Sequence, residues 1–270
     1  MSVLVAGALL FFAPLQTTAQ PTVDGDLSES QYTTVATNQT TNSGFGNTVL
    51  DKIVKYSDGD NATLYIGVEG KLTTASGNGL GVWINVGGSG SPSGRSAGTA
   101  LAVSGGGHYI GGNGGSNPDF KADFEVDAMY AFNTGGSSNN VYFDAANVTG
   151  GSPSTTYLGS SDQSGTSASG TGPGGQTIRW AVDNSGGTDT GVEIEIPFSE
   201  LGASKSMDLQ VFIMEVSGSA YFSDLTVPGG LASEPGFDPN FNSLGGGPYN
   251  SGTSKLPVEL ASFDARRDGG

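Results

Sequence analysis

The sequence predicts an all-β protein, an antiparallel β-sandwich of roughly ten to twelve short strands with long Gly/Ser-rich loops. Three observations carry that prediction. Val192, Ile194 and Ile196 alternate with Glu193 and Glu195, the period of a strand that buries one face. Turn-forming clusters such as Ser57-Asp58-Gly59-Asp60-Asn61 and Asp183-Asn184-Ser185-Gly186-Gly187 separate the apolar runs. Met207 to Val216 is apolar on both faces, which places it in the middle of a sheet.

The remaining elements follow in order. Val49 to Tyr56 lacks clean alternation, so both of its faces are expected to be covered. Leu64, Ile66 and Val68 then share a face opposite Thr63, Tyr65 and Glu69, and the Asp58–Asn61 turn makes the two runs a hairpin. Leu80, Val82, Ile84 and Val86 form the next strand, with Trp83 and Asn85 on its other face. Residues 87–118 read as a long loop with one edge hairpin. Phe120 to Phe132 reads as a single strand, with Asp123, Glu125 and Asp127 on a solvated face. Val141 to Ala145 is a shorter strand, and 150–175 reads as a mobile surface excursion. Ile178, Trp180 and Val182 face the core from another strand. Pro197 ends pairing after Ile196, Phe198 to Leu201 form an apolar plug, and Gly202 closes the turn in the left-handed region. Gly218-Ser219 turns the chain into Ala220 to Val227, and a Gly/Pro/Asn-rich tail follows.

Composition narrows the function classes. A net charge of −16 opposes nucleic acid and anionic membrane surfaces as partners. With no cysteine, neither disulfides nor thiolate metal sites are available. Val3 to Leu15 is an apolar run too short to span a bilayer, and it leads to Thr17-Thr18-Ala19-Gln20. Residues 1–19 are therefore expected to be a signal peptide cut after Ala19, which puts the protein outside the cell or on its surface. No later stretch is long and apolar enough for a transmembrane helix. The expected organisation is the signal peptide, a sandwich over 20–254 and a C-terminal stub over 255–270.

The start Val23-Asp24-Gly25 with Tyr32, the Leu64-Tyr65-Ile66-Gly67-Val68 hairpin strand and the run Glu195-Ile196-Pro197-Phe198-Ser199-Glu200-Leu201-Gly202 resemble family 9 carbohydrate-binding modules and their DOMON-like relatives. Tyr32 stands where that superfamily usually carries a tryptophan. The resemblance implies a β-sandwich and non-catalytic binding of a polysaccharide or cell-surface glycan. A second run, Lys255-Leu256-Pro257-Val258-Glu259-Leu260-Ala261-Ser262-Phe263-Asp264-Ala265, is similar to the linker that precedes a type IX secretion sorting domain. It implies a sorting domain that would follow the present chain.

Candidate site residues follow from exposure and chemistry. Trp83, opposite the core face, is the expected sugar platform, with Asn85 and Tyr109 beside it; the alternative is a tryptophan packed beneath a loop. Asp58 and Asp60 offer oxygens to a metal, with calcium the candidate cofactor, although a hairpin turn accounts for them equally well. Gly94-Arg95-Ser96-Ala97-Gly98 has the spacing of a nucleophile elbow but lies in a Gly/Ser tract rather than between strand and helix. His108 with Met129, Met207 or Met214 could ligate haem, but two of those methionines fall in an apolar strand. Glu193 and Glu195 are expected on the outer face of one strand, not across a cleft as a glycosidase pair would be. The expectation is thus a secreted, non-enzymatic glycan binder; the alternative is a structural or adhesive surface protein without a small ligand.

Overall fold

The computed structural model describes residues 19–38, 45–59, 61–74, 77–87, 94–101, 103, 108–110, 120–148, 154–202, 208–229, 231–245, 247–252 and 254–255. Most of the expected signal peptide (1–18) and of the expected C-terminal stub (256–270) lies outside these residues. Fourteen strands run through the described part. They are β1 (Thr33–Thr37), β2 (Val49–Asp58), β3 (Thr63–Lys71), β4 (Asn78–Gly87), β5 (Ala128–Asn133), β6 (Val141–Asn147) and β7 (Thr156–Ser161). There follow β8 (Ala168–Thr171), β9 (Thr177–Val182), β10 (Gly191–Pro197), β11 (Asp208–Ser217), β12 (Tyr221–Val227), β13 (Gly236–Phe237) and β14 (Ser254–Lys255).

These strands form two antiparallel sheets, as the alternation predicts. One has the order β1-β2-β3-β10-β9-β8; the other runs β13-β12-β11-β4-β5-β6-β7, with β14 added on β11. The inward residues of both sheets meet in one core. Ile53, Leu64, Ile66, Val68, Trp180 and Ile194 pack there against Val82, Ile84, Tyr130, Phe143, Val211 and Ile213. Trp180 lies 4.7 Å from Phe143 between ring centroids, the core position its pattern predicts. β11 is central, paired with β4 on one side and β12 on the other. The plug after β10 also forms as expected: Phe198 and Leu201 are buried, and Gly202 has φ +64°.

The outer face of the larger sheet is covered and that of the smaller sheet partly so, and here the structure departs from the sequence reading. Of the expected Phe120–Phe132 strand only the part from Ala128 joins the sheet, as β5. Phe120, Ala122, Phe124 and Val126 instead lie over the outer face of the larger sheet, with Leu101, Ile110, Phe241 and Tyr249. Their alternation is real, but it marks a segment that packs on a sheet without pairing into it. The described parts of the supposed loop after β4 join this layer: Leu101 N donates to Phe120 O at 2.9 Å, and Arg95 bridges Val126. The supposed excursion at 150–175 contains β7 and β8, which pair with β6 and β9. β8 (Ala-Ser-Gly-Thr) is held by main-chain pairing and has almost no apolar pattern to reveal it.

The outer face of the smaller sheet is crossed by the N-terminal segment. Val23 packs on Tyr65 and Ala181, with Tyr32 and Tyr56 at the margin. Glu193, expected on an open face, is therefore fully buried.

β2 contains a bulge between Leu50 and Lys52, and Gly70 faces Leu50 across it. Gly70 has φ +151°, and a Cβ there would collide with the carbonyl oxygen of Val49. Both neighbours are main chain, so neither can move aside cheaply. Gly70→Ala is expected to lower stability by roughly 2 kcal/mol, read as a lower urea midpoint with an unchanged slope.

Candidate functional site

The residues expected to form a sugar platform do not come together on the surface. Trp83 is 0% exposed. Its ring lies 4.9 Å from Phe120, 5.5 Å from Phe212 and 6.0 Å from Phe222. The indole is the centre of the second core, so Trp83 offers no face to a ligand. This corrects the expectation: a residue opposite the core face of a strand is exposed only if nothing covers that face. Asn85 donates from Nδ2 to Gln210 Oε1 at 2.7 Å in a half-buried ladder that continues through Gln210 to Asn250. Tyr109 is half-buried in a single turn, His108–Ile110, that lies against β4.

Asp58 behaves as a turn residue. It accepts from Asn61 N at 3.0 Å, Asn61 Nδ2 at 2.8 Å and Gln20 Nε2 at 2.8 Å. Those bonds engage both carboxylate oxygens. Asp60 lies outside the described residues. Among the described residues, no group of three or more His, Cys, Asp or Glu side chains is arranged to hold a metal ion. No helix among them is long and apolar enough to cross a membrane.

The structure brings together a different set of side chains, at the edge of the larger sheet. Tyr221 of β12 pairs with Phe237 of β13. Their rings meet edge to face, with centroids 4.9 Å apart at 86°, the geometry that the ring quadrupole favours. Phe45 adds a third ring 5.8 Å from Tyr221. Phe237 is 57% exposed, among the most open of the large apolar side chains described. Tyr221 OH donates to Glu234 Oε2 at 3.3 Å, which sets a carboxylate beside the rings. The corner therefore presents apolar ring surface and an acceptor side by side.

Two buried glutamates hold the elements around these surfaces. Glu215 of β11 accepts from Phe45 N at 2.5 Å and from Thr48 Oγ1 at 2.6 Å, so it fixes the segment that carries the Phe45 ring. Glu193 of β10 accepts from Asp24 N and Gly25 N, each at 3.0 Å, and from Tyr32 OH. Burial pushes both carboxyls up to about 7, and these same hydrogen bonds only partly oppose it. Elsewhere, a cavity of about 120 Å³ is lined by Val49, Asp51, Gly70, Lys71 and Ser185 to Gly187. Lys52 closes its neighbourhood by pairing with Glu69 at 2.6 Å and Asp189 at 2.5 Å. The cavity is well below the roughly 300–1,000 Å³ of ordinary small-molecule pockets.

The aromatic corner leaves only a faint trace in the sequence. Phe237 is a lone aromatic between Gly236 and Asp238 in a tail that reads as irregular, and Phe45 stands among Gly, Ser and Asn. Only long-range pairing brings them to Tyr221. Searches find no family model, no curated protein and no solved structure that matches the chain.

The two glutamates make stability depend on pH. Folded, each keeps its proton up to about pH 7; unfolded, each ionises near about 4.3. Between these values the folded state binds more protons, so the stabilisation is complete below the unfolded value and is lost as pH rises through 7. The urea midpoint is expected to fall between pH 4.5 and 7.5, by on the order of 1–3 kcal/mol in stability. A Glu193→Gln, Glu215→Gln double variant keeps neutral acceptors at both sites and should flatten that profile.

Proposed function

We propose that the protein is an extracellular, non-catalytic glycan-recognition module, and that the corner formed by Tyr221, Phe237, Phe45 and Glu234 is its binding surface. The observation that carries this reading is the 57% exposure of Phe237 against the Tyr221 ring with the Glu234 carboxylate alongside. The apolar C–H face of a pyranose packs on aromatic rings, while a carboxylate accepts from the sugar hydroxyls. An open edge suits one or two sugar units of a long chain rather than an enclosed small molecule. Extracellular placement rests on the apolar leader ending at Ala19, and the glycan class on the resemblance carried by Asp24-Gly25 and by Ile196-Pro197 with Leu201-Gly202.

A second reading, a structural or adhesive surface domain without a small ligand, is favoured by the burial of Trp83 and the apolar layer over the outer face of the larger sheet. Affinity electrophoresis on a panel of neutral, amino and uronate polysaccharides separates the two. Retardation by at least one glycan, reduced several-fold in Phe237→Ala and in Tyr221→Ala, is the expected result. Migration unaffected by every glycan would leave the structural reading. Trp83→Ala belongs to a different class of variant: it empties the second core and should cost about 3–5 kcal/mol, visible as a lowered unfolding midpoint in the absence of any glycan.

A further inference from the structure

Asp127 immediately precedes β5 and is 1% exposed. Its Oδ2 accepts from Val86 N at 2.8 Å. Its Oδ1 is also buried and has no hydrogen-bond partner. A buried carboxylate oxygen without a donor is costly, because nothing replaces the water it has lost. The surroundings are rich in oxygen. Glu125 Oε1 accepts from Gly94 N at 2.8 Å. Arg95 and Val126 exchange main-chain hydrogen bonds at 2.8 and 2.9 Å, which fixes the short segment at Gly94 against 125–127. A Cβ on residue 94 would collide with both Val126 O and Asp127 Oδ1, so these two oxygens lie side by side against the main chain at Gly94.

We propose that this group of oxygens, from Asp127, Glu125 and the Val126 carbonyl beside Gly94, is a divalent-cation site suited to calcium, with the unpartnered Asp127 Oδ1 as its anchor. All three donors are oxygen, the ligand type of hard cations. Val126 O has accepted one N–H and keeps a second lone pair. The irregular arrangement of two carboxylates and a carbonyl suits calcium's flexible shell better than magnesium's octahedron. Calcium takes about six to eight oxygens, so water completes the shell and the affinity falls in the weak range of extracellular modules, about 10⁻⁴–10⁻³ M. The site is separate from the Asp58–Asn61 turn and from the aromatic corner, and it stands whether or not a glycan binds there.

The test uses the whole chain, with thermal unfolding followed after chelator treatment and again with calcium or magnesium at about 5 mM, above the affinity range of such sites. Calcium is expected to raise the midpoint by several degrees, with magnesium giving less. Asp127→Asn keeps the acceptor for Val86 N but removes the charge; Glu125→Gln does the same at Gly94. Both should fold and lose the calcium response, whereas Asp58→Asn should keep it. Terbium provides a direct readout, since an ion bound near Trp83 should emit on indole excitation and be quenched by calcium in the wild type but not in Asp127→Asn. An unchanged midpoint in the wild type, or an equal calcium response in both Asp127→Asn and Glu125→Gln, overturns the proposal.

Discussion

Loop main chain in this protein is held by carboxylates that the fold buries or half-buries. A chain with 46 glycines has many N–H groups that no strand ladder can pair, and a buried donor must find an acceptor. Glu193 takes Asp24 and Gly25, Glu215 takes Phe45, and Glu200 takes Gly174 and Gln176. Asp123 takes Tyr249. A carboxylate suits this task because two oxygens can accept several donors from a segment with no regular structure. The excess of acid over base is thus partly architectural.

That constraint shapes the layers. A sandwich ordinarily leaves its outer faces to water, so outward residues can be polar or can form a platform. Here the N-terminal segment closes one outer face over Glu193, and the segments around Leu101, Phe120 and Phe241 close the other over Trp83. The second covering is a true core, with Trp83, Phe120, Phe212 and Phe222 in mutual contact. Open aromatic surface is left to the sheet margins, where Phe237 and Tyr157 are exposed. The margin at β13 combines exposure with a ring cluster and a carboxylate, which makes it the better binding surface of the two.

Several misreadings share one physical origin. Alternation reports which residues of a segment are apolar on one side; it does not say whether that side faces a sheet from within or from above. Phe120 to Val126 alternates like a strand because it packs flat on a sheet, yet its ladder groups pair only locally. Ala168 to Thr171 shows the reverse case: it pairs as a strand, and its sequence carries no stripe because little of it is buried.

By itself the sequence determined the sandwich, most of its strands, the Trp180 core position and the Phe198–Gly202 plug, because period-two burial and turn chemistry are local and written residue by residue. Only the tertiary structure decided which surfaces remain open. Trp83 is buried, Glu193 and Asp127 are enclosed, and Phe45, Tyr221 and Phe237 meet, because segments far apart in the chain fold across the sheets. Exposure is a property of what covers a residue, and no local pattern records it.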